Sequence, residues 1–128
     1  MADTEKITIN LGPVDLGRID MLVDQGLYSN RTDAIRTAVR NLLDRHEMLI
    51  QNAAEKRSFA LGALILDRQD LLKRKREGRK LSLRMIGVLS LSDDIDPDLA
   101  LETIESIEVK GVLKASSELK KALSDRIK

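Results

Sequence analysis

Lys6, Thr8 and Asn10 occupy alternate positions of Lys6-Ile7-Thr8-Ile9-Asn10-Leu11. In an extended chain that spacing sets an ammonium, a hydroxyl and an amide in one row on one face. The amide and hydroxyl can exchange hydrogen bonds with base edges in a major groove, and Lys6 can reach guanine acceptors. A second constellation is Asn30-Arg31-Thr32-Asp33. Asn30 followed three residues on by Asp33 caps a helix, and free backbone amides at Arg31 and Thr32 on its positive end form an anion site to which Arg31 adds charge. Taken singly, each has a plainer reading, a solvated strand face and an ordinary helix cap.

The elements that must position these residues follow from periodicity. Ile7, Ile9 and Leu11 alternate with the polar row, the period of a half-buried strand. A lone strand leaves both edges unpaired, and no second strand pattern follows within forty residues, so the expected partner is the same strand of a second chain. A first helix is expected from Pro13 to about Gln25, stopped by Gly26, with Leu16, Ile19, Leu22 and Val23 as its buried stripe. A second begins after Asn30. Ile35, Ala38, Val39, Leu42, Leu43, His46, Leu49 and Ile50 follow at steps of three and four, which predicts a long helix reaching Ala54.

Lys6 to Leu11 followed by Tyr28-Ser29-Asn30-Arg31-Thr32-Asp33-Ala34-Ile35-Arg36 resembles the ribbon-helix-helix superfamily, the Arc and CopG type of bacterial DNA-binding protein, over roughly the first fifty residues. The likeness is greatest to its nickel-responsive and antitoxin branches. The resemblance implies an intertwined homodimer whose two Lys6 to Leu11 strands pair antiparallel and enter the major groove. Lys6, Thr8 and Asn10 are then the base readers, and Asn30, Arg31 and Thr32 the phosphate contacts.

Composition bounds the remaining possibilities. The chain has 128 residues, 42% of them hydrophobic, enough for one or two small folded domains. It contains no cysteine, which excludes disulfides, thiolate catalysis and thiolate metal sites. No stretch has the length of a membrane span and the charged N-terminus is not a signal peptide, so cytoplasmic residence is expected. The net charge of +1 does not by itself mark a nucleic-acid binder. The basic surplus lies in Lys73-Arg74-Lys75-Arg76 with Arg79 and Lys80, either accessory contacts to flanking phosphates or a solvated helix face with Leu71 and Leu72 beneath.

The second half carries a repeat. Leu61-Gly62-Ala63-Leu64-Ile65-Leu66, Ile86-Gly87-Val88-Leu89-Ser90-Leu91 and Lys110-Gly111-Val112-Leu113-Lys114-Ala115 match, with glycines 25 and 24 residues apart. Each is followed by a cap and a helical stretch: Asp67 before Arg68 to Glu77, Asp96 before Pro97 to Glu102, and Ser116 or Ser117 before Glu118 to Arg126. Strands joined by helical crossovers favour parallel pairing, and units of this period bury their apolar faces by stacking. The spacing predicts Gly62, Gly87 and Gly111 at equivalent positions of three adjacent parallel strands, with Leu64, Leu89 and Leu113 on one face.

No catalytic constellation emerges. His46, the single histidine, falls in phase with the apolar stripe of the second helix and is expected to pack there. Nickel sensing is not transferred, because those relatives use several histidines and a cysteine in a separate domain. Asp94, Asp96, Asp98 and Glu105 match four positions of a calcium loop, but Leu99 replaces its turn glycine and Pro97 intrudes; Asp96 is better read as a helix cap. The acidic run Asp93 to Glu108, which contains no base, offers a contact for the basic 73 to 80 helix of a neighbouring chain.

The expected fold is α/β overall. Residues 1–57 form a ribbon-helix-helix domain for DNA binding and dimerisation, and residues 58–128 a small parallel β/α repeat domain for assembly or sensing. The expected function is a sequence-specific transcriptional regulator, not an enzyme, without cofactor, bound to double-stranded DNA as a homodimer or a higher oligomer. Its effector is left open. The alternatives are an antitoxin that autoregulates its operon and a DNA-associated assembly protein polymerising through the repeat domain.

Overall fold

The computed structural model describes residues 4–128. The chain divides into two compact units, residues 1–48 and 49–128. In the first, α1 (Pro13–Asp24) and α2 (Arg31–Arg45) form a helix pair. Pro13 opens α1, where its missing N–H costs nothing. Gly26, at φ +81°, ends it by a left-handed turn in which its N–H donates to the Val23 carbonyl and the Leu27 N–H to the Leu22 carbonyl. The helix starts and the first stop are therefore where the sequence puts them.

The second helix is not continuous to Ala54. It breaks at His46, whose φ of −107° departs from helical geometry, and resumes as α3 (Glu47–Lys56). The apolar period runs through the break without a proline or glycine to mark it, so the pattern gives no warning. His46 does not pack in this chain; it is exposed.

The second unit contains β1 (Ala60–Leu66), α4 (Arg68–Arg76), β2 (Leu81–Leu91), α5 (Pro97–Thr103), β3 (Ile104–Lys114) and α6 (Ser117–Ala122). The three strands make one parallel sheet in the order β1-β2-β3. Gly62 pairs with Gly87 and Gly87 with Gly111; Leu64, Leu89 and Leu113 share the register two residues on. The repeat read from the sequence is thus three rungs of one sheet. Two of its strands are longer than the matching segments, starting at Leu81 and Ile104. The last helix stops at Ala122 instead of running to Arg126. Beyond it Ile127 bridges to Ile107 in parallel, and the Arg126 guanidinium donates to the Leu101 and Ile104 carbonyls.

The glycine at the middle of each strand is required by the neighbour. Gly62, Gly87 and Gly111 all have φ near +130°, a region closed to L side chains. A Cβ on Gly87 would lie 2.0 Å from the Gly62 carbonyl oxygen, and one on Gly111 2.1 Å from that of Gly87. On one face of the sheet Leu83, Met85, Leu89 and Leu91 of β2 join Leu71 of α4, Leu99 and Ala100 of α5, and Leu119 and Leu123 of α6 in a single core. Asp67, Asp96 and Ser116 cap the three helices through the backbone N–H groups of Asp70, Leu99 and Leu119.

Candidate nucleic-acid interface

Residues 4–12 lead into α1 outside any helix or strand and pair with no strand among the described residues. Lys6, Thr8 and Asn10 are all exposed. The intervening apolar row is exposed too: Ile7 by 80%, Ile9 by 54% and Leu11 by 40%. An alternating strand with both faces in solvent has neither ladder nor core, and buried Ile or Leu side chains are each worth roughly 1.5–3 kcal/mol.

The surface available to that row is α2. Ile7 and Ile9 line a groove of about 530 Å³ with Ile35 and Val39, edged by Lys6, Thr32, Arg36 and Arg40. Further along α2, Leu42 and Leu43 are each about half exposed, and Leu22 of α1 is 40% exposed. Of the stripe predicted for α1, Leu16, Ile19 and Val23 are half-buried. Ala34 is the one buried residue among the described residues of this unit. Among the described residues, two helices and the arm with a single buried alanine leave this unit's apolar surface largely uncovered.

The start of α2 is built from side chains on both sides of the turn. Asn30 Oδ1 accepts from the Asp33 N–H at 2.8 Å, and Asp33 reciprocates by accepting from the Ser29 N–H at 2.9 Å. The Arg31 and Thr32 N–H groups have no acceptor among the described residues, as expected at a helix N-terminus. The Arg31 side chain turns the other way. Its Nε and Nη2 donate to the two Asp20 carboxylate oxygens at 2.7 and 2.8 Å, tying α1 to α2. Those hydrogen bonds, reinforced by the charge of Arg31, hold the Asp20 carboxyl below its ordinary range and raise Arg31 in return.

Asn30, Thr32 and the backbone of Arg31 therefore gather at one helix end, while the charge of Arg31 is matched by a carboxylate. Sequence reasoning missed Asp20, since a partner eleven residues away across a turn leaves no periodic trace. It also gave no role to Arg36 and Arg40, although their four-residue spacing puts both on one side of α2. These two and Lys6 set three cations around the groove against the one carboxylate of Glu5.

The basic run of the second unit is partly neutralised within the chain. Lys75 pairs with Glu102 at 2.8 Å and Arg68 with Asp96 at 2.7 Å, so part of the acidic run is engaged by its own basic helix. Leu71 is buried beneath that helix and Leu72 partly so. Asp94 accepts from the Arg68 N–H, and Asp96 caps α5. Among the described residues no three His, Cys, Asp or Glu side chains are grouped to hold a metal ion, and no helix is long and apolar enough to cross a membrane.

Comparison with known proteins agrees with this geometry. The chain is 33% identical over 42 residues to the transcriptional regulator CdrS of Halobacterium salinarum, a match spanning 33% of this chain and 76% of that protein. No solved structure matches it. The model of the ribbon-helix-helix transcriptional regulator family matches residues 2–120, from the extended arm through the three-stranded sheet and into α6. Because that match takes in both units, the β/α unit is part of the family pattern, and the chain belongs to the ribbon-helix-helix transcriptional regulator family.

Proposed function

We propose that this regulator acts as a homodimer in which the Lys6–Leu11 segments of two chains pair antiparallel and read double-stranded DNA through the major groove. The observation that carries the reading is the unfinished core of the first unit, with an alternating arm exposed on both faces and one buried alanine. A second arm and a second α2 supply the missing ladder and the missing apolar surface together. The polar row is then left outward as a two-stranded ribbon, which fits the groove.

In this reading Lys6 donates to guanine acceptors, Asn10 makes paired hydrogen bonds to adenine, and Thr8 contacts either a base edge or a thymine methyl. Asn30 fixes the start of α2, and the N–H groups of Arg31 and Thr32 take a phosphate at the positive end of that helix. Arg31 contributes mainly by position, since Asp20 holds its guanidinium. Residues 1–57 bind DNA and dimerise, and residues 58–128 assemble dimers or sense a signal. The protein works in the cytoplasm, without catalysis.

Binding titrations on a selected duplex and on a scrambled one test the assignment. Asn10→Ala or Thr8→Ala is expected to lose roughly 1–3 kcal/mol on the selected duplex and little on the scrambled one. Arg31→Ala is expected to weaken both alike. Equal losses on both duplexes for Asn10→Ala remove that residue from base reading, and a well-folded monomer at micromolar concentration removes the ribbon.

A further inference from the structure

The two outer edges of the sheet differ in a complementary way. β1 is an edge strand of seven residues, Ala-Leu-Gly-Ala-Leu-Ile-Leu, with no charge and no proline. Edges are normally guarded by such residues, and an unguarded apolar edge is a template for another strand. Leu61 and Ile65, on the face of the strand away from the core, are 56% and 69% exposed.

Gly62, at φ +128°, shares the conformation of Gly87 (+133°) and Gly111 (+128°), yet the position a Cβ would occupy there is open space. In β2 and β3 the same position faces the carbonyl oxygen of the preceding glycine. Gly62 thus keeps the backbone shape of a strand that receives a carbonyl, with no carbonyl before it. At the far edge, Gly111 presents its carbonyl where β3 has no further strand, the tail having paired only around Ile107.

We propose that the open edge of β3 in one copy receives β1 of a second copy in parallel, Gly62 beside Gly111, repeating the relation that already joins β1 to β2 and β2 to β3. In that register Ala60 falls beside Val109 and Leu64 beside Leu113, above the stretch occupied by the tail. The row Ala63, Val88, Val112 continues into the next copy's Ala63. A twofold pairing of β1 with β1 sets notch against notch and brings no carbonyl to either glycine. The contact is therefore head-to-tail, and copies add in an open chain or a ring. This inference does not rest on DNA recognition and stands or falls without it.

The absence of cysteine makes the test clean. Ala63→Cys and Val112→Cys are combined in one full-length chain. Within a chain the two positions are separated by β2, at about 9–10 Å from the strand spacing, too far for a disulfide. Mild oxidation is expected to give a ladder of covalent multimers on a denaturing gel, and a mixture of the two single variants a covalent dimer only. Each single variant alone is expected to stay uncrosslinked. Dimers from Ala63→Cys alone would show β1 pairing with itself and overturn the proposal, as would no crosslink at all. The unaltered chain gives an independent reading: its sedimentation mass is expected to rise with concentration past two copies, and a mass fixed at two copies overturns the proposal.

Discussion

The two units solve the problem of a small core in opposite ways. Residues 49–128 close theirs within one chain, with Leu71, Leu89, Ile104, Ile107, Leu119 and Leu123 all fully buried. Residues 4–48 bury one alanine and leave Ile7, Val39, Leu42 and Leu43 in solvent. Both are amphipathic in sequence. What differs is whether the partner of each apolar face lies further along the same chain: the repeat supplies β1 with β2 and β2 with β3, whereas nothing near the arm pairs with it.

The sharpest test of that contrast puts a charge into the finished core. Leu89 is fully buried at the centre of the middle strand, so Leu89→Asp leaves a carboxylate without a partner among hydrocarbon. The expected cost exceeds about 4 kcal/mol, a large share of a small domain's stability, and is enough to unfold the second unit. Amide exchange across 60–123 should then collapse while residues 13–45 keep their helices. Equal loss of protection in both units would show that they share one core.

On the proposed dimer, a matched substitution in the unfinished unit is expected to change assembly instead of folding. Ile9 is 54% exposed in the single chain, so Ile9→Asp removes little packing from it. The expected result is loss of the arm-mediated dimer, read as a halved mass by light scattering at concentrations too low for sheet edges to associate, with the parallel sheet intact. A variant that dimerises as well as the parent would take Ile9 out of the interface.

The glycines give a smaller, graded comparison inside the sheet. In a single copy Gly62→Ala meets only the backbone strain of its positive φ, roughly 1–3 kcal/mol, whereas Gly87→Ala adds a collision with the Gly62 carbonyl. Denaturant melts of the two variants should therefore differ by more than about 1 kcal/mol, with Gly87→Ala the less stable. Identical midpoints would mean that the middle strand relaxes around the new methyl group.

Much of this fold was legible because its causes are local or periodic. Asn30, Asp67 and Asp96 announce helix starts by chemistry that acts within three residues, and the Gly-x-Leu spacing repeats often enough to give the parallel register. The break at His46 was not legible, since Leu42, Leu43, Leu49 and Ile50 keep helical phase across it. Nor was the Arg31–Asp20 pair, or the tail bridge at Ile127, since each depends on where the chain returns in space. Of the candidate site, the polar row Lys6, Thr8 and Asn10 could be picked out by alternation, although the apolar row is exposed beside it, while Arg36 and Arg40 at the groove required the groove to be seen.

The smallest effect separates the two units by how each holds a carboxylate. Asp20 and Asp96 both lie below the ordinary value of 3.8, and both are paired with an arginine. For Asp20 every lowering influence comes from Arg31, by hydrogen bonds first and charge second. Asp96 is lowered first by its hydrogen bond from Arg68, but also by the Leu99 N–H it caps and by the charges of Arg68 and Lys75. A depressed carboxyl stabilises the fold above its unfolded value, and that contribution is lost as pH falls through the depressed one. Carboxyl titration by NMR should accordingly place both midpoints below 3.8. Arg31→Gln is expected to return Asp20 to the ordinary range or slightly above it, because partial burial then acts alone. Arg68→Gln should raise Asp96 yet leave it below 3.8, since the cap on α5 and Lys75 remain. If both carboxyls returned fully, the Leu99 N–H would not be holding Asp96, and the helix cap would be weaker in solution than its 2.7 Å contact implies.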